Sequence, residues 1–584
     1  SGSIAKGKFT RNVFNGLEGN QGPYRLNGAN NETFFIVLAN TERVFIDGQL
    51  LQRGEDQDYV INYNTAEITF TPRRMITKDT RIQIEFEYAD RNFLNTNLFA
   101  TQQVDINKKL KINFGFFQNS DSKNSSINQV LDSKQKQFLS EIGDSIQKAF
   151  YPSAILDSFA AGKILYEKVY DSLDNVVDSF YRYSTDPLKA KYNLGFTEVG
   201  FGRGNYIPDN GNANGKVFKY VPPVNRMKQG NFEPVTILIS PKKQQLMNLG
   251  IDYQLSKNTL LKTEFASSNY DVNTFSKINN GDDKGFAAKV NLSNAKQVKS
   301  KNDLKLLSSV DYEYVQNKFQ PLERLRNVEF TRDWGLPVVA EKATEHFIKA
   351  SVGLKNNIGN LVQYDFVSYN RSDHYKGFQN ALKQITNRKN WLFNNEAVIT
   401  HFKTETHKGY FLRPIIDISK KFPKLANWRI GGRYTLEENN TRSVITDTLN
   451  PLAFSYDTYT VFVKSDEAKM NKYGLSFYSR KDKYPVGKNF KTGDKSYNLN
   501  FQTEILSNSK RQFYLNTTFR KLKVIDQQIS RQKDDNTILG RAEYMMNEWN
   551  GFLTGNILYE AGSGQEQKRE YAYLEVPAGT GQYT

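Results

Sequence analysis

One feature constrains this chain more than any other: an alternation of apolar and polar residues with period two that recurs from residue 93 to residue 560. Trp428, Ile430, Gly432, Tyr434 and Leu436 alternate with Arg429, Gly431, Arg433, Thr435 and Glu437. Tyr497, Leu499, Phe501 and Ile505 alternate with Asn498, Asn500, Gln502 and Glu504. Leu249, Ile251, Tyr253 and Leu255 do so with Asn248, Gly250, Asp252 and Gln254, and Leu110, Ile112, Phe114 and Phe116 with Lys111, Asn113 and Gly115. Successive side chains of a strand point to opposite faces, so each run predicts a strand with one apolar and one polar face. The runs are long, where about 5–6 residues is usual for a globular strand. About 18 of them can be counted, beginning near 93–106 and 110–118, resuming at 245–255 and following closely to 536–547 and 551–560.

The connections sort into two kinds. Short polar turns include Asn107-Lys108-Lys109, Ser256-Lys257-Asn258-Thr259, Asn387-Arg388-Lys389-Asn390 and Ser507-Asn508-Ser509-Lys510-Arg511. Between them fall the longer segments 119–243, 320–344, 439–455 and 482–495. Tight turns at one end and long loops at the other are the pattern of an outer-membrane barrel. The expected fold class is therefore all-β: a transmembrane antiparallel up-and-down β-barrel of about 18–20 or more strands. A soluble sandwich that buries its greasy faces is the rival. It would have shorter strands, and its polar faces would not be so uniformly hydrophilic.

Composition narrows the classes further. The chain has 584 residues and only 38% are apolar, yet 13% are aromatic, which argues against disorder. Cysteine is absent, which excludes a disulfide framework, thiolate metal sites and a Cys nucleophile. No apolar stretch approaches the roughly 18–20 residues of a membrane-spanning helix.

Residues 16–90 read differently. Short strands are expected at 34–38, 43–46, 59–61, 67–70 and 81–86, with hairpin chemistry at Asp47-Gly48 and at 62–65. This is a small β-sandwich-like domain. Ahead of it, 1–15 reads as a possible extra strand of the large sheet. Residues 91–118 carry the first long strands, 119–243 a large loop domain, 244–568 the remaining strands, and 569–584 the start of a further one. A helix is expected over 134–150, capped by Ser133 and striped by Leu139, Ile142, Ile146 and Phe150.

Chemistry-bearing motifs are weak. Asn210, Asn212, Asn214 and Gly215 open like a calcium loop, but Val221 stands where the closing Glu is needed. Gly200, Gly202 and Gly204 lack a surrounding βαβ unit. His401 and His407 lie near the ends of adjacent expected strands without a third ligand, and His346 and His374 have no nucleophile partner. No catalytic, cofactor-binding or metal-ligating residue is assigned, and the chain reads as a non-enzyme without cofactors. Lys plus Arg is 79 against 62 for Asp plus Glu, a net charge of +17. The basic residues form no aromatic-interleaved stripe, so nucleic acid is not an expected partner. Many sit in the short turns, among them Lys108, Lys109, Lys257, Arg388, Lys389, Lys510 and Arg511, a cationic rim suited to lipid phosphates or to blocking edge pairing.

Several stretches carry a resemblance. Gly22-Pro23-Tyr24-Arg25-Leu26 leads to Thr41-Glu42-Arg43-Val44-Phe45-Ile46-Asp47-Gly48 and to Asp58-Tyr59-Val60-Ile61-Asn62-Tyr63-Asn64. Further on stand Pro241-Lys242-Lys243-Gln244-Gln245, Ser268-Asn269-Tyr270-Asp271-Val272-Asn273-Thr274-Phe275-Ser276 and Val576-Pro577-Ala578-Gly579-Thr580-Gly581. Together these resemble the large, mostly uncharacterised outer-membrane β-barrel proteins of Bacteroidota, and in style the barrel of the type IX secretion and gliding apparatus. The resemblance implies outer-membrane location and barrel architecture and supplies no ligand or active residue. In such proteins more chain follows the Val-Pro-Ala-Gly-Thr-Gly stretch, so the sequence is expected to be a fragment of something longer.

Three functions compete: a structural or accessory subunit of an envelope machine for protein export, assembly or surface display; a porin-like uptake channel plugged by 119–243; or a soluble or surface adhesion scaffold. The first implies outer-membrane lipid and other envelope proteins or lipoproteins as partners. Short turns are periplasmic in such barrels, which predicts the long loops and the small β-domain on the extracellular side.

Overall fold

The computed structural model describes residues 2–5, 7–29, 35–88, 93–126, 129–160, 162–173, 176–209, 216–225, 227–299, 303–337 and 340–562. Its dominant element is one continuous antiparallel sheet of 18 long strands. Phe93–Asn107 pairs with Leu110–Ser126, which pairs with Lys243–Ser256. From there each strand pairs with its sequence neighbour as far as Leu553–Gly562. The strands run from 10 to 17 residues, the length that the alternating runs require.

The register turns the alternation into two faces, because directly opposed residues share a face. One row runs Val461, Phe477, Leu499, Phe519 and Ile538 across five strands. All five are between 44% and 59% exposed. On the opposite face, Asp252 meets Lys262 at 3.2 Å, Lys349 meets Asp365 at 3.3 Å, and Arg433 meets Asp417 at 2.6 Å. Asn500 on that polar face donates to Asn516 Oδ1 and Thr518 Oγ1 at 2.9 Å.

The connections divide as expected. At the tight end, Asn107 Oδ1 accepts from the backbone N–H groups of Lys109 and Leu110 at 2.8 and 3.0 Å. Lys389 and Asn390 both take positive φ, 48° and 69°, as a two-residue hairpin matched to strand twist demands. At the other end, the segment after Ser126 builds its own small sheets. One joins Ile155–Leu156, Tyr192–Asn193, Tyr166–Leu173 and Val176–Tyr183; a second joins Thr197–Glu198, Phe232–Glu233, Tyr206–Asp209 and Val217–Tyr220. They meet around Phe196, whose ring stacks on Phe218 at 4.4 Å and lies 5.4 Å from Tyr166.

The N-terminal domain has two sheets. Lys8–Asn15, Arg81–Tyr88, Arg43–Ile46 and Gln49–Leu50 form one; Tyr24–Arg25, Glu67–Phe70 and Tyr59–Asn62 form the other. Leu26, Val44, Ile68, Ile76, Ile82, Ile84 and Phe86 are fully buried between them. The Asp47-Gly48 turn takes φ of 47° and 79°, as read. Of the strand expected at 34–38, Phe34 lies outside the described residues and Val37 makes only a bridge to Tyr88.

Two expectations change. Residues 1–15 do not form one strand: Gly2–Ala5 pairs with residues 95–98 of the large sheet, whereas Lys8–Asn15 belongs to the small domain. The helix covers Ser133–Glu141 only. Its cap is Asp132, whose side chain accepts from Gln135 N–H while the Gln135 side chain returns to the Asp132 N–H. Gly143 at φ 62° ends it, Ile146–Lys148 is a single 3-10 turn, and Phe150–Pro152 is a strand. The further strand expected over 569–584 lies outside the described residues.

Candidate functional site

The small domain does not stand clear of the large sheet. It lies along the polar face, and it also packs on the long segment that follows residue 315. Arg520, Asn516, Arg480 and Arg541 all belong to that face: Arg520 stands opposite Asn498 and Thr537, Asn516 opposite Gln502 and Arg541, and Arg480 opposite Ser496. Each of them also has a partner in the domain. Arg520 pairs with Glu18 at 2.7 Å, with both side chains about 95% buried. Arg480 bonds Asp79 and, at 2.7 Å, its strand neighbour Asp482. Lys78 reaches Asp482 at 3.5 Å and lies 5.1 Å over the Tyr484 ring. Midway along their strands, Asn516 Nδ2 donates to the carbonyls of Pro72 and Arg73 at 3.4 and 3.3 Å, and Arg541 donates to the Glu55 carbonyl.

Burial alone would lower the Lys78 pKa. The carboxylates of Asp79 and Asp482 outweigh it and hold the ammonium above its ordinary value. The cation is therefore locked charged, and the contact depends on opposite charge being present on both sides.

On the far side of the domain, the loop segment 316–337 is wedged between domain and sheet. Arg324 pairs with Glu85 at 2.7 Å and Arg81 with Glu329 at 3.1 Å. Arg332 bonds Glu329 at 3.3 Å and also Glu437 of the sheet, and Arg413 of the sheet bonds Asp333 at 2.9 Å. Phe330 and Trp334 anchor this loop in an aromatic cluster with Tyr369, Tyr375 and Phe402. Nothing in the sequence pointed to the domain's packing along the polar face. A cavity of 440 Å³ remains between Arg11 and Arg81 of the domain and Arg324 and Arg326 of the loop. Arg326 is held there by Glu313 and Glu345 at 2.5 and 2.7 Å.

The residues singled out from sequence do not converge. His401 stacks on Phe378 at 4.9 Å, while His407 bonds Thr406 and Asn450. His346 meets the Tyr312 hydroxyl at 2.9 Å, and His374 lies 3.7 Å from Glu405. Gly204 faces the backbone of Phe232, where a Cβ would come within 2.3 Å, so that glycine serves close packing. Asn210, Asn212, Asn214 and Gly215 lie outside the described residues. The basic turn residues Lys108, Lys109, Lys257, Arg388, Lys389, Lys510 and Arg511 do share the short-turn end.

One acidic group was missed. Asp144, Asp282 and Asp283 bring their carboxylates within 4.8 Å of one another. Burial, then repulsion from Asp271, Asp144 and Asp282, pushes the Asp283 carboxyl up to about 6. The Asp282-Asp283 doublet was its only sequence signal, and Asp144 joins it through the fold. The oxygen-only donor set suits a hard cation.

Residues 9–90 match a family model described as a domain of unknown function, DUF8818. The match therefore falls on the small domain, and it leaves the large sheet uncovered. No curated protein matches the chain.

Proposed function

We propose that the large sheet closes into a transmembrane β-barrel of the outer membrane, with the apolar face against lipid and the polar face around the lumen. The N-terminal domain then fills that lumen. In this reading the chain is a structural or accessory subunit of an envelope machine for protein export, assembly or surface display. Its partners are outer-membrane lipid and other envelope proteins or lipoproteins, and the long loops and small domain belong to the extracellular side. The exposed apolar row from Val461 to Ile538 supports the lipid face, since globular proteins rarely leave such a surface uncovered. No helix among the described residues is long and apolar enough to cross a membrane, which leaves the strands to do so.

The observation that carries the accessory role is the contact line of Arg480, Arg520, Asn516 and Arg541 with the small domain. A lumen occupied at mid-height is not an open pore. The small sheets between residues 150 and 237 add docking surface at the loop end. A second reading, a plugged uptake channel, is favoured by the charged character of the same contact, because a domain with its own core can leave without unfolding. In this second reading the plug is 7–88, in place of the 119–243 expected from the sequence.

Planar-bilayer conductance with co-purification tests both. The wild-type protein should stay closed, and replacing residues 7–88 by a short Gly/Ser linker should open it. Stable protein partners with a silent wild type support the accessory role. A wild type that gates open alone supports the channel. Steady conductance by the intact chain defeats the filled lumen.

A further inference from the structure

One register row near the long-loop end is cationic across four neighbouring strands. Lys376 stands opposite Lys403, Lys403 opposite Lys408, and Lys408 opposite Arg442. Opposed residues share a face, and this is the apolar face: Lys376 is followed at period two by Phe378 and Leu382, 46% and 51% exposed. Like charges directly opposite one another in a sheet repel. At about 4.8 Å between strands, the row spans about 14 Å.

The nearby acids neutralise it only at Lys408. Asp447 takes Lys408 at 3.0 Å, and its carbonyl accepts from Arg442, whose Nε also donates to Asn440. Asp373 is bound to Arg371 at 2.7 Å, and Glu405 faces His374. The side chains of Lys376 and Lys403 are exposed and have no ion-pair or hydrogen-bond partner among the described residues. Immediately below the row lies an aromatic floor, in which His401 stacks on Phe378 at 4.9 Å and approaches Tyr410 at 6.0 Å. The cations and these rings border one groove of 640 Å³.

We propose that this groove binds an anionic, phosphate-bearing membrane lipid, with the phosphate on Lys376 and Lys403 and an acyl chain on Phe366, Phe378 and Tyr410. The proposal rests on the membrane-barrel reading, which puts the row where the apolar band meets water. It departs from the lipid role expected of the turn residues, which occupy the opposite rim. An apolar floor under unpaired cations distinguishes a lipid from free phosphate, which has no use for the rings.

The test is lipid titration of the detergent-purified protein, read by native mass spectrometry. The probes are dioleoyl phosphatidic acid and dioleoyl phosphatidylcholine, with inorganic phosphate as competitor. Phosphatidic acid should bind at least about tenfold more tightly than phosphatidylcholine. K376Q/K403Q should weaken it about 30-fold, the loss of two interfacial lysines. K376R/K403R should keep it, and K108Q/K109Q at the other rim should not weaken it. Equal binding of the two lipids, no effect of K376Q/K403Q, or displacement by millimolar phosphate overturns the proposal. Alkaline carbonate washing of native membranes separates the two failures. Protein that washes off sinks the membrane reading and this one with it; protein that stays while showing no lipid preference sinks this one alone.

Discussion

Glu18 and Arg520 supply the sharpest test of how the small domain is held. Their side chains are 6% and 5% exposed and meet at 2.7 Å. Glu18 Oε2 also accepts from the Lys78 N–H at 3.1 Å, a bond that glutamine retains through its amide oxygen. Glu18→Gln therefore keeps shape and one hydrogen bond and removes only the charge. Arg520 is then left buried with a long 3.4 Å contact to Asn498, and its Nε already has no partner. Removing one member of a buried pair costs about 3–5 kcal/mol, most of it the uncompensated charge that stays behind. At about 1.4 kcal/mol per tenfold, the undocked fraction rises at least about 100-fold. Trypsin reads that fraction at the Arg73–Arg74 bond, because the Arg73 carbonyl is engaged by Asn516 when docked. Cleavage that is slow relative to docking follows the open population. The domain's separate core should leave its circular dichroism unchanged. Glu18→Leu/Arg520→Met should return cleavage close to wild type, since replacing both charges is near neutral. A rise under threefold for Glu18→Gln, or a double variant as fast as the single, refutes the reasoning.

Four other outcomes are expected. Phe501→Arg should reduce folded, heat-modifiable protein in lipid by about 2–4 kcal/mol, whereas Asn500→Arg on the polar face should be tolerated; equal effects defeat the assignment of faces to lipid and lumen. Asp283 has its folded pKa raised to about 6 above the ordinary carboxylate value, so its contribution is full below about 4 and is lost as pH rises through 6. Hydrogen-exchange protection at Thr274 and Ser276, taken relative to the intrinsic exchange rate at each pH, should accordingly rise from pH 7 to pH 5, and Asp283→Asn should abolish that rise. Trp334→Ala, which empties a site 3% exposed and ringed by Phe330, Phe347 and Tyr369, should cost about 3–5 kcal/mol locally and speed exchange across 316–337. A cysteine placed at Asn64 should label with an impermeant reagent on intact cells; labelling only after the outer membrane is breached puts the domain on the periplasmic side.

The long strands were legible because period two is a local property. Leu499 next to Asn500 announces two faces whatever lies across the strand. Four strands of the small domain, at 43–46, 59–62, 67–70 and 81–88, were legible too, helped by the Asp47-Gly48 turn, whereas Lys8–Asn15 read as part of the large sheet. Position was not legible. Arg480 and Arg520 read as ordinary polar-face residues, and nothing near Glu18 or Asp79 points to partners hundreds of residues away. Rows across strands were equally hidden. Lys376, Lys403, Lys408 and Arg442 each sit at a strand end, and only the register makes them neighbours. The helix was overextended because the stripe of Ile146 and Phe150 continues past Gly143, whose positive φ ends the turn before the stripe does.

The character of the docked contact follows from constraints on each side. The polar face must be hydrophilic wherever the alternation holds, so whatever lies on it has to be matched by charge and hydrogen bonding. The domain meets this by spending its large aliphatic residues on its own core and presenting Glu18, Asp79, Lys78 and the carbonyls of Glu55, Pro72 and Arg73. Ion pairs of this kind repay little more than their desolvation, so they orient the domain better than they bind it. Affinity comes from the tether. Gly2–Ala5 before the domain and Phe93–Asn107 after it are paired strands of the large sheet, so both ends of the domain are anchored at one place. A unit held at both ends by short connections faces its docking surface at millimolar or higher effective concentration. Weak, specific charge contacts are then sufficient to keep it seated, and their loss frees the domain without unfolding it or the sheet.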